Sequence, residues 1–519
     1  MSVAVLSGMQ EIEIPWSLRR GPVTVGKDIL ELLSSSMYLE PLTIYREYIQ
    51  NCADAIDDAR RCGVLPARTR GRVDISIDSA ARTVRIRDNG AGIEESQFGD
   101  RLTAFGASAK RGTAARGFRG VGRLAGLGYC QELIFRSRAD GARRVCELHW
   151  DCKKTKTILR DSAFRGELSD LVDQTVSLRQ VDAAGWPAHF FEVELRGIVR
   201  HRNDQLLNPA AIEEYLSQVA PVPFSPAFTY GEEIGAFLGK HVAPGDIDIH
   251  ASNTADAIFR PHRDRFQISE GIEDQFREIE LLEIPSIDGS RAAVGWVLHH
   301  GYKGAIPPRA MMRGLRVRSG NIQIGGHDLF QELFPEPRFN SWSVGEIHIL
   351  DPRIVPNGRR DHFEQNVHFD NLLSHLSPVT RNIAHRCRTN SLVRNWIREF
   401  DRSEQAAKQK LAIIKQGSIG IGRQSEAAQD ADRILVKMER IAGREAIAPE
   451  IRKKQRTVIS QIRKRLERLR QNLPRARVLS KMSTKERRLI ERVFGLVYEC
   501  SSNHAVAKML VDRILKQIS

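Results

Sequence analysis

Residues 73–78, VDISID, and 83–88, TVRIRD, each alternate apolar and polar residues on either side of the short turn DSAAR. Successive strand side chains point to opposite faces, so the pair predicts a hairpin with one buried face. Just upstream, Tyr45, Ile49, Cys52, Ile56 and Ala59 recur with helical spacing and predict an amphipathic helix over about 43–62. Further strand-like runs follow at 131–137 and 191–195. A helix packed on such strands predicts an α/β sandwich over residues 1–215, with helices on one face of a mostly antiparallel sheet.

The polar side of the helix is unusual. In REYIQNCADAIDDA, residues 46–59, Glu47, Asn51, Asp54 and Asp58 share an arc of about 60°. No cation shares that arc, and each like-charge pair costs about 0.2–0.5 kcal/mol. An ordinary solvated face intersperses Lys or Arg with its acids, which raises the question of what these oxygens face.

Beyond residue 215 the chain changes character twice. Strand signals at AAVGWVLHH (292–300), GLRVRSGNIQIG (314–325) and GEIHIL (345–350) predict a second mixed α/β domain over 216–390. From 391 to 519 the residues are rich in Lys, Arg, Glu, Gln, Ala and Leu with almost no strand signal, which predicts a helical region. GSIGIGR (417–423) reads as a hinge between helices, a longer helix covers about 451–472, and a helical pair runs through 484–519. The fold class is therefore α+β with a helical C-terminal region.

Charge follows the same division. The chain carries a net +15, and residues 401–519 hold 28 Lys/Arg against 13 Asp/Glu, so the first 400 residues are neutral. The seven cysteines are scattered and lack CxxC spacing, which predicts a reducing, cytoplasmic compartment and no structural zinc. No run of about 18 apolar residues occurs, so neither a membrane span nor a secretory leader is expected.

Two glycine-rich segments follow the helix. The hairpin ends in DNGAGI, where Asp88, Gly90 and Gly92 suit either an ordinary turn or a close backbone approach to a ligand. AFGASAKRGTAARGFRGVGRLAGLG (104–128) carries seven glycines, with Gly117, Gly120 and Gly122 forming GxxGxG ahead of an apolar, helix-like run. Backbone amides there can cradle phosphates. Lys110, Arg111, Arg116, Arg119 and Arg123 make the segment cationic, which fits an anionic ligand or a solvated loop.

The order of these pieces resembles the GHKL ATPase superfamily of gyrase, heat-shock chaperones, histidine kinases and MutL, whose nucleotide lies on a Bergerat α/β sandwich. REYIQNCADAIDDA and LTAFGASAKRGT are similar to the ninety-kilodalton heat-shock chaperone branch, HtpG included, whereas GFRGVGRLAGL also resembles MutL. The resemblance implies ATP and magnesium as ligands. Asn51 would hold the metal, and Glu47 would orient and deprotonate the attacking water. Asp88 would accept from the adenine amino group, with Gly90 and Gly92 beside the base. Lys110, Gly117, Gly120, Val121 and Gly122 would surround the phosphates, and about 94–116 would form a lid. Asp54 is carried over only as a supporting acid.

VGEIHILDPRIVPNGRRDHFEQN (344–366) resembles the chaperone's middle-domain strand and loop. There Arg360 takes the place of the arginine that reaches the γ-phosphate, with Arg359 next to it. Glu364 stands where the chaperone has Gln. The family's late Gly-Thr box, near adenine, is not visible, and HFFEVEL (189–195) occupies about its place.

The resemblance implies a slow ATPase, a chaperone-like conformational clamp acting on a protein client and dimeric at least when ATP is bound. A nucleic-acid-associated ATPase like MutL or MORC proteins, and a nucleotide-sensing scaffold with negligible turnover, are the alternatives. Residues 451–490, with 15 Lys/Arg against two acids, suit nucleic-acid phosphates, or else a solvated helix facing water or an acidic partner. ERRLIERVFGLVYE and AVAKMLVDRILKQI (486–499, 505–518) are amphipathic and read as a helical hairpin or dimer contact.

Overall fold

The structure is a computed structural model that describes residues 25–33, 40–66, 68–106, 120–242, 246–251 and 256–518. It is α+β, with two sheets followed by a helical region. The first sheet holds β1 (Gly71–Asp78), β2 (Thr83–Asp88), β3 (Glu132–Arg138), β4 (Arg144–Asp151), β5 (Val176–Asp182), β6 (Phe190–Arg196) and β7 (Ile247–Ala251). Its spatial order is β5-β4-β3-β6-β2-β1-β7, and every neighbouring pair is antiparallel except β1 with β7.

The period-two pattern decides which face of this sheet is dry. Val73, Ile75, Val84, Ile86, Leu133, Phe135, Val193 and Leu195 point into one core. Against it pack α1 (Asp28–Leu33) and α2 (Thr43–Arg61), with α3 (Glu95–Thr103), α4 (Cys152–Arg160), α5 (Leu168–Thr175) and α6 (Pro209–Val219). The intervening residues build an ion-pair lattice on the other face. Arg136 contacts Glu147, Glu192 and Glu194 at 2.7, 2.7 and 2.6 Å, while Arg85 and Arg87 reach Glu194 and Glu192. Buried carboxylates need such partners, because an unpaired charge away from water is far costlier than an exposed one.

The second sheet holds β8 (Arg265–Ser269), β9 (Ile272–Pro285), β10 (Arg291–His300), β11 (Gly314–Ser319), β12 (Ile322–Ile324) and β13 (Val344–Ile349), in the order β12-β11-β13-β10-β9-β8. Both its faces are covered. One packs on α7 (Gly231–Leu238) through Ile234 and Leu238. The other packs on the first half of α8 (Val367–Gln416) through Phe369, Leu372 and Leu376. The far half of α8 forms a separate core with α9 (Ile421–Ala442) and α10 (Pro449–Gln471). The remaining helices are α11 (Arg477–Ser480), α12 (Thr484–Cys500) and α13 (His504–Gln517). Gly417, with φ 63°, closes α8 where the glycine-rich hinge is expected.

A buried charge cluster ties the second sheet to the end of α6. Arg318 donates to the carbonyls of Gln218 and Ala220 at 2.7 and 3.1 Å, and Arg260 to that of Val222 at 2.9 Å. Both guanidinium groups also contact Glu346, which is fully buried. Burial alone would raise the Glu346 pKa, but Arg260 and Arg318 reverse this and hold it well below the usual range. The three form a charge-assisted clasp that fixes the second sheet against the end of α6.

Candidate functional site

Helix α2 is the spine of the site, and its acidic face does not look at bulk water. Glu47 is 6% exposed and Asp54 2%. Asp58 meets Arg61 at 2.6 Å, a cation supplied by the following turn rather than by the arc itself. Glu47 is enclosed from three sides. Arg46 Nη2 lies 3.6 Å from its Oε1, and Arg360 Nε from the second domain also lies 3.6 Å from that oxygen. A Cβ placed on Gly122 would come within 2.5 Å of Oε2, so only glycine lets the carboxylate sit there.

The loop that brings Arg360 is built for that reach. Glu364 N–H donates to the Val355 carbonyl at 2.8 Å, and Asn357 N–H to that of His362 at 2.9 Å. Phe363 is buried and stacks on Phe369 with ring centroids 5.3 Å apart. Arg360 itself has φ 56°, a left-handed backbone that costs a non-glycine residue roughly 1–2 kcal/mol. Its carbonyl is held by Gly325 N–H at 2.9 Å, and the adjacent Arg359 carbonyl accepts from Arg46 Nη2 at 3.0 Å. The surrounding structure thus pins Arg360 in a strained pose beside Glu47.

One helical turn along, Asn51 lines a cleft of about 540 Å³ together with Tyr48, Asp58, Gly92, Arg123 and Phe191. Asp88, at the end of β2, is 2% exposed and pairs in register with Phe191. Its Oδ1 accepts from Gly90 N–H at 2.8 Å, while Oδ2 is buried with no hydrogen-bond partner. Burial pushes its pKa up to about 7, against the Gly90 N–H, the Cys52 thiol, the Phe191 N–H and the His189 charge. The Cys52 thiol and the Phe191 N–H lie near this carboxylate, but Oδ2 has no partner in hydrogen-bond geometry, which leaves an acceptor beside the cleft for a donor from outside the chain.

Gly90 and Gly92 have a reason of their own. A Cβ on Gly90 would lie 2.7 Å from the Ala55 backbone, and one on Gly92 would lie 2.1 Å from the Arg138 carbonyl oxygen. Gly92 also has φ 70°. The protein's own packing therefore demands both glycines, whatever ligand they meet. Gly92→Ala is expected to lose about 3 kcal/mol or more of stability, read as a lowered thermal midpoint.

The second glycine segment is described from Gly120 on; Lys110 and Gly117 lie outside the described residues. Gly120 has φ 69°, Val121 is buried, and Gly122 opens a 3-10 helix, Gly122–Gly128, rather than the start of a long α-helix. Tyr48 fastens it. Its hydroxyl donates to the Arg123 carbonyl at 3.2 Å and accepts from Gly126 N–H at 3.0 Å. Burial, then Arg101, lowers the Arg123 pKa to about 10, and its Nε is buried without a partner. Its Nη2 donates to the Ala104 carbonyl, so Nε is the open donor of a cation on the cleft wall, where an anion fits. Sequence reasoning did not single out Arg46, Tyr48 or Phe191, which owe their place to tertiary contacts. Phe191 faces Asp88 where a Gly-Thr box is missing.

Residues 43–174 match the family of "Histidine kinase-, DNA gyrase B-, and HSP90-like ATPase". The domain they belong to is thus a GHKL-type ATPase domain. Among full-length proteins, the chain is 26% identical over 220 residues to the chaperone protein HtpG of Polaromonas naphthalenivorans, covering 39% of this chain and 34% of the relative. It is 27% identical over 222 residues to HtpG of Yersinia enterocolitica, covering 37% of this chain and 33% of the relative. With HtpG of Nitrobacter winogradskyi, 28% identity over 148 residues covers 25% of this chain and 23% of the relative. The chain spans about a third or less of the length of the curated relatives it matches, and the similarity is to the HtpG branch of the superfamily. Among the described residues, no helix is long and apolar enough to cross a membrane.

Proposed function

We propose that the protein is an ATP-binding and ATP-hydrolysing conformational clamp of the chaperone-like type, acting on a protein client. The adenine amino group donates to the orphaned Oδ2 of Asp88, with Gly92 and Phe191 beside the base. Gly120, Val121 and Gly122, with Lys110, Gly117 and Arg123, surround the phosphates. Asn51 would hold magnesium, which would supply positive charge to offset the phosphates and the carboxylates of α2. Glu47 orients the attacking water and takes its proton. Arg360 turns from Glu47 toward the γ-phosphate and stabilises the charge that develops there. ATP in this reading closes the lid region and holds the second domain docked, and hydrolysis releases it.

The observation that carries the reading is the strained Arg360, delivered by the second domain to within 3.6 Å of Glu47. Homodimer formation is supported by the exposed apolar stripes Leu489, Val493 and Leu496 on α12 and Val506, Met509 and Leu510 on α13. The Arg360 role is tested by single-turnover hydrolysis: Arg360→Ala is expected to slow the step about 10²-fold, with ATP affinity by calorimetry changed less than about threefold. Hydrolysis at the unmodified rate removes Arg360 from the reaction.

A further inference from the structure

Cations in the helical region fall into two populations. Some are neutralised within the chain. Lys408 pairs with Glu404, Lys410 and Arg433 with Asp430, Lys437 with Glu399, Arg463 with Glu439, and Arg470 with Asp432. On α10 a second set is left over. Lys453, Lys454, Arg456, Lys464, Arg465 and Arg468 are all exposed, and none makes an ion pair or side-chain hydrogen bond among the described residues.

At 100° per residue five of the six, all but Arg456, occupy an arc of about 120°, along about 22 Å of helix. Between Lys453 and Arg468 only the uncharged Thr457 and Gln461 share that arc; Glu467 falls outside it, and Glu450, one turn ahead of Lys453 and Lys454, lies on its line. The opposite side, through Gln455, Ile459, Ile462 and Leu466, is buried against α8 and α9. The apolar face of α10 is therefore already spent on the core, and α10 exposes no large hydrophobic side chain. A helix that settles on a membrane needs an apolar face to insert, and a typical protein interface is built round buried aromatic and aliphatic anchors. A phosphate backbone needs neither, because its attraction to lysine and arginine comes from released counterions.

We infer that the outward face of α10 is a sequence-independent docking surface for double-stranded nucleic acid, with the five side chains each meeting a backbone phosphate. The length of the face matches about six phosphates along one strand. Unpaired cations so aligned repel one another, and a polyanion relieves that repulsion. The surface is separate from the nucleotide cleft on α2 and does not depend on ATP.

The test is fluorescence anisotropy of the full chain with a labelled 30-base-pair DNA of arbitrary sequence, without nucleotide, across a salt series. Neutralising about five phosphates predicts a slope of log affinity against log salt near −4.5, and about 500-fold weaker binding at 200 mM than at 50 mM salt. The variant combining Lys453→Gln, Lys454→Gln, Lys464→Gln, Arg465→Gln and Arg468→Gln is expected to lose at least about 10²-fold at 50 mM with helicity unchanged. The milder pair Lys464→Gln and Arg468→Gln should shallow the slope by about 2, which keeps the test sharp if the larger variant misfolds. Lys408→Gln, Arg433→Gln and Lys437→Gln together, drawn from the paired set, should leave the slope in place. A flat salt response, an equal loss in the paired-set variant, or capture by phosphatidylserine vesicles with no response to the duplex overturns the proposal.

Discussion

Glu47→Gln is expected to stop turnover while leaving nucleotide uptake intact. The single-turnover rate of ATP hydrolysis should fall about 10²–10⁴-fold, the usual worth of a positioned general base. Glutamine keeps the shape of the side chain, so the contact that Gly122 makes room for survives, and only the proton acceptor is lost. The change also has an electrostatic side. Arg46 and Arg360 each lie 3.6 Å from the same Glu47 oxygen, and an amide there leaves both guanidinium groups without their shared counter-charge. Removing one member of a buried charged set is costly, so the second domain should dock less firmly before ATP arrives. Calorimetry with ATP separates the two effects, because a base that does not touch adenine leaves uptake in place. An undiminished rate in Glu47→Gln would show that another group, or none, takes the proton.

Much of the fold around this residue was legible in the chain. The α2 stripe and the β1–β2 hairpin carry strong periodicities, and both form where those patterns place them. Two of the strands that escaped notice show separate physical reasons. In β5, VSLRQVD lies at the sheet edge with Leu178 exposed, so no continuous apolar face marks it. Strand β7, IDIHA, has five residues and exists because it lies parallel to β1, a partner about 175 positions earlier in sequence that no local pattern reveals. At the site, the candidate residues could be named from the order of acid, glycine and lysine motifs. What could not be named is the set of contacts that holds them. Tyr48 gripping Gly126, Arg46 holding the Arg359 carbonyl, and the Gly92 Cα crowding Arg138 are all products of the assembled fold. Composition did separate the basic tail from a neutral front, but only the three-dimensional pairing shows which of its cations are left unmatched.

Asp88→Asn is the second large effect, and it falls on binding rather than rate. The adenine amino group would meet the amide's own donor in place of the lone Oδ2, exchanging a charge-assisted hydrogen bond for a donor–donor clash. ATP affinity is expected to drop about 10²–10³-fold by calorimetry. The unmodified protein should show a pH signature that the variant lacks. With its pKa pushed up to about 7, Asp88 takes a proton as pH falls below that point and can then no longer accept freely, so affinity should weaken toward tenfold per pH unit lost. Fold stability moves in the opposite sense. Between the ordinary carboxyl range and about 7, the native chain holds a proton that the unfolded chain has released. The contribution of this group to stability is therefore full below about pH 4 and fades as pH rises through 7. The asparagine variant has no such proton, and its stability should lack that slope, while its buried amide donors, left without acceptors, cost about 1–3 kcal/mol. Tight binding therefore requires a carboxylate that the empty fold would rather keep protonated, and a nucleotide that supplies the missing donor draws the equilibrium back. If Asp88→Asn binds ATP as the unmodified chain does, with the same dependence on pH, the orphaned oxygen serves something other than adenine.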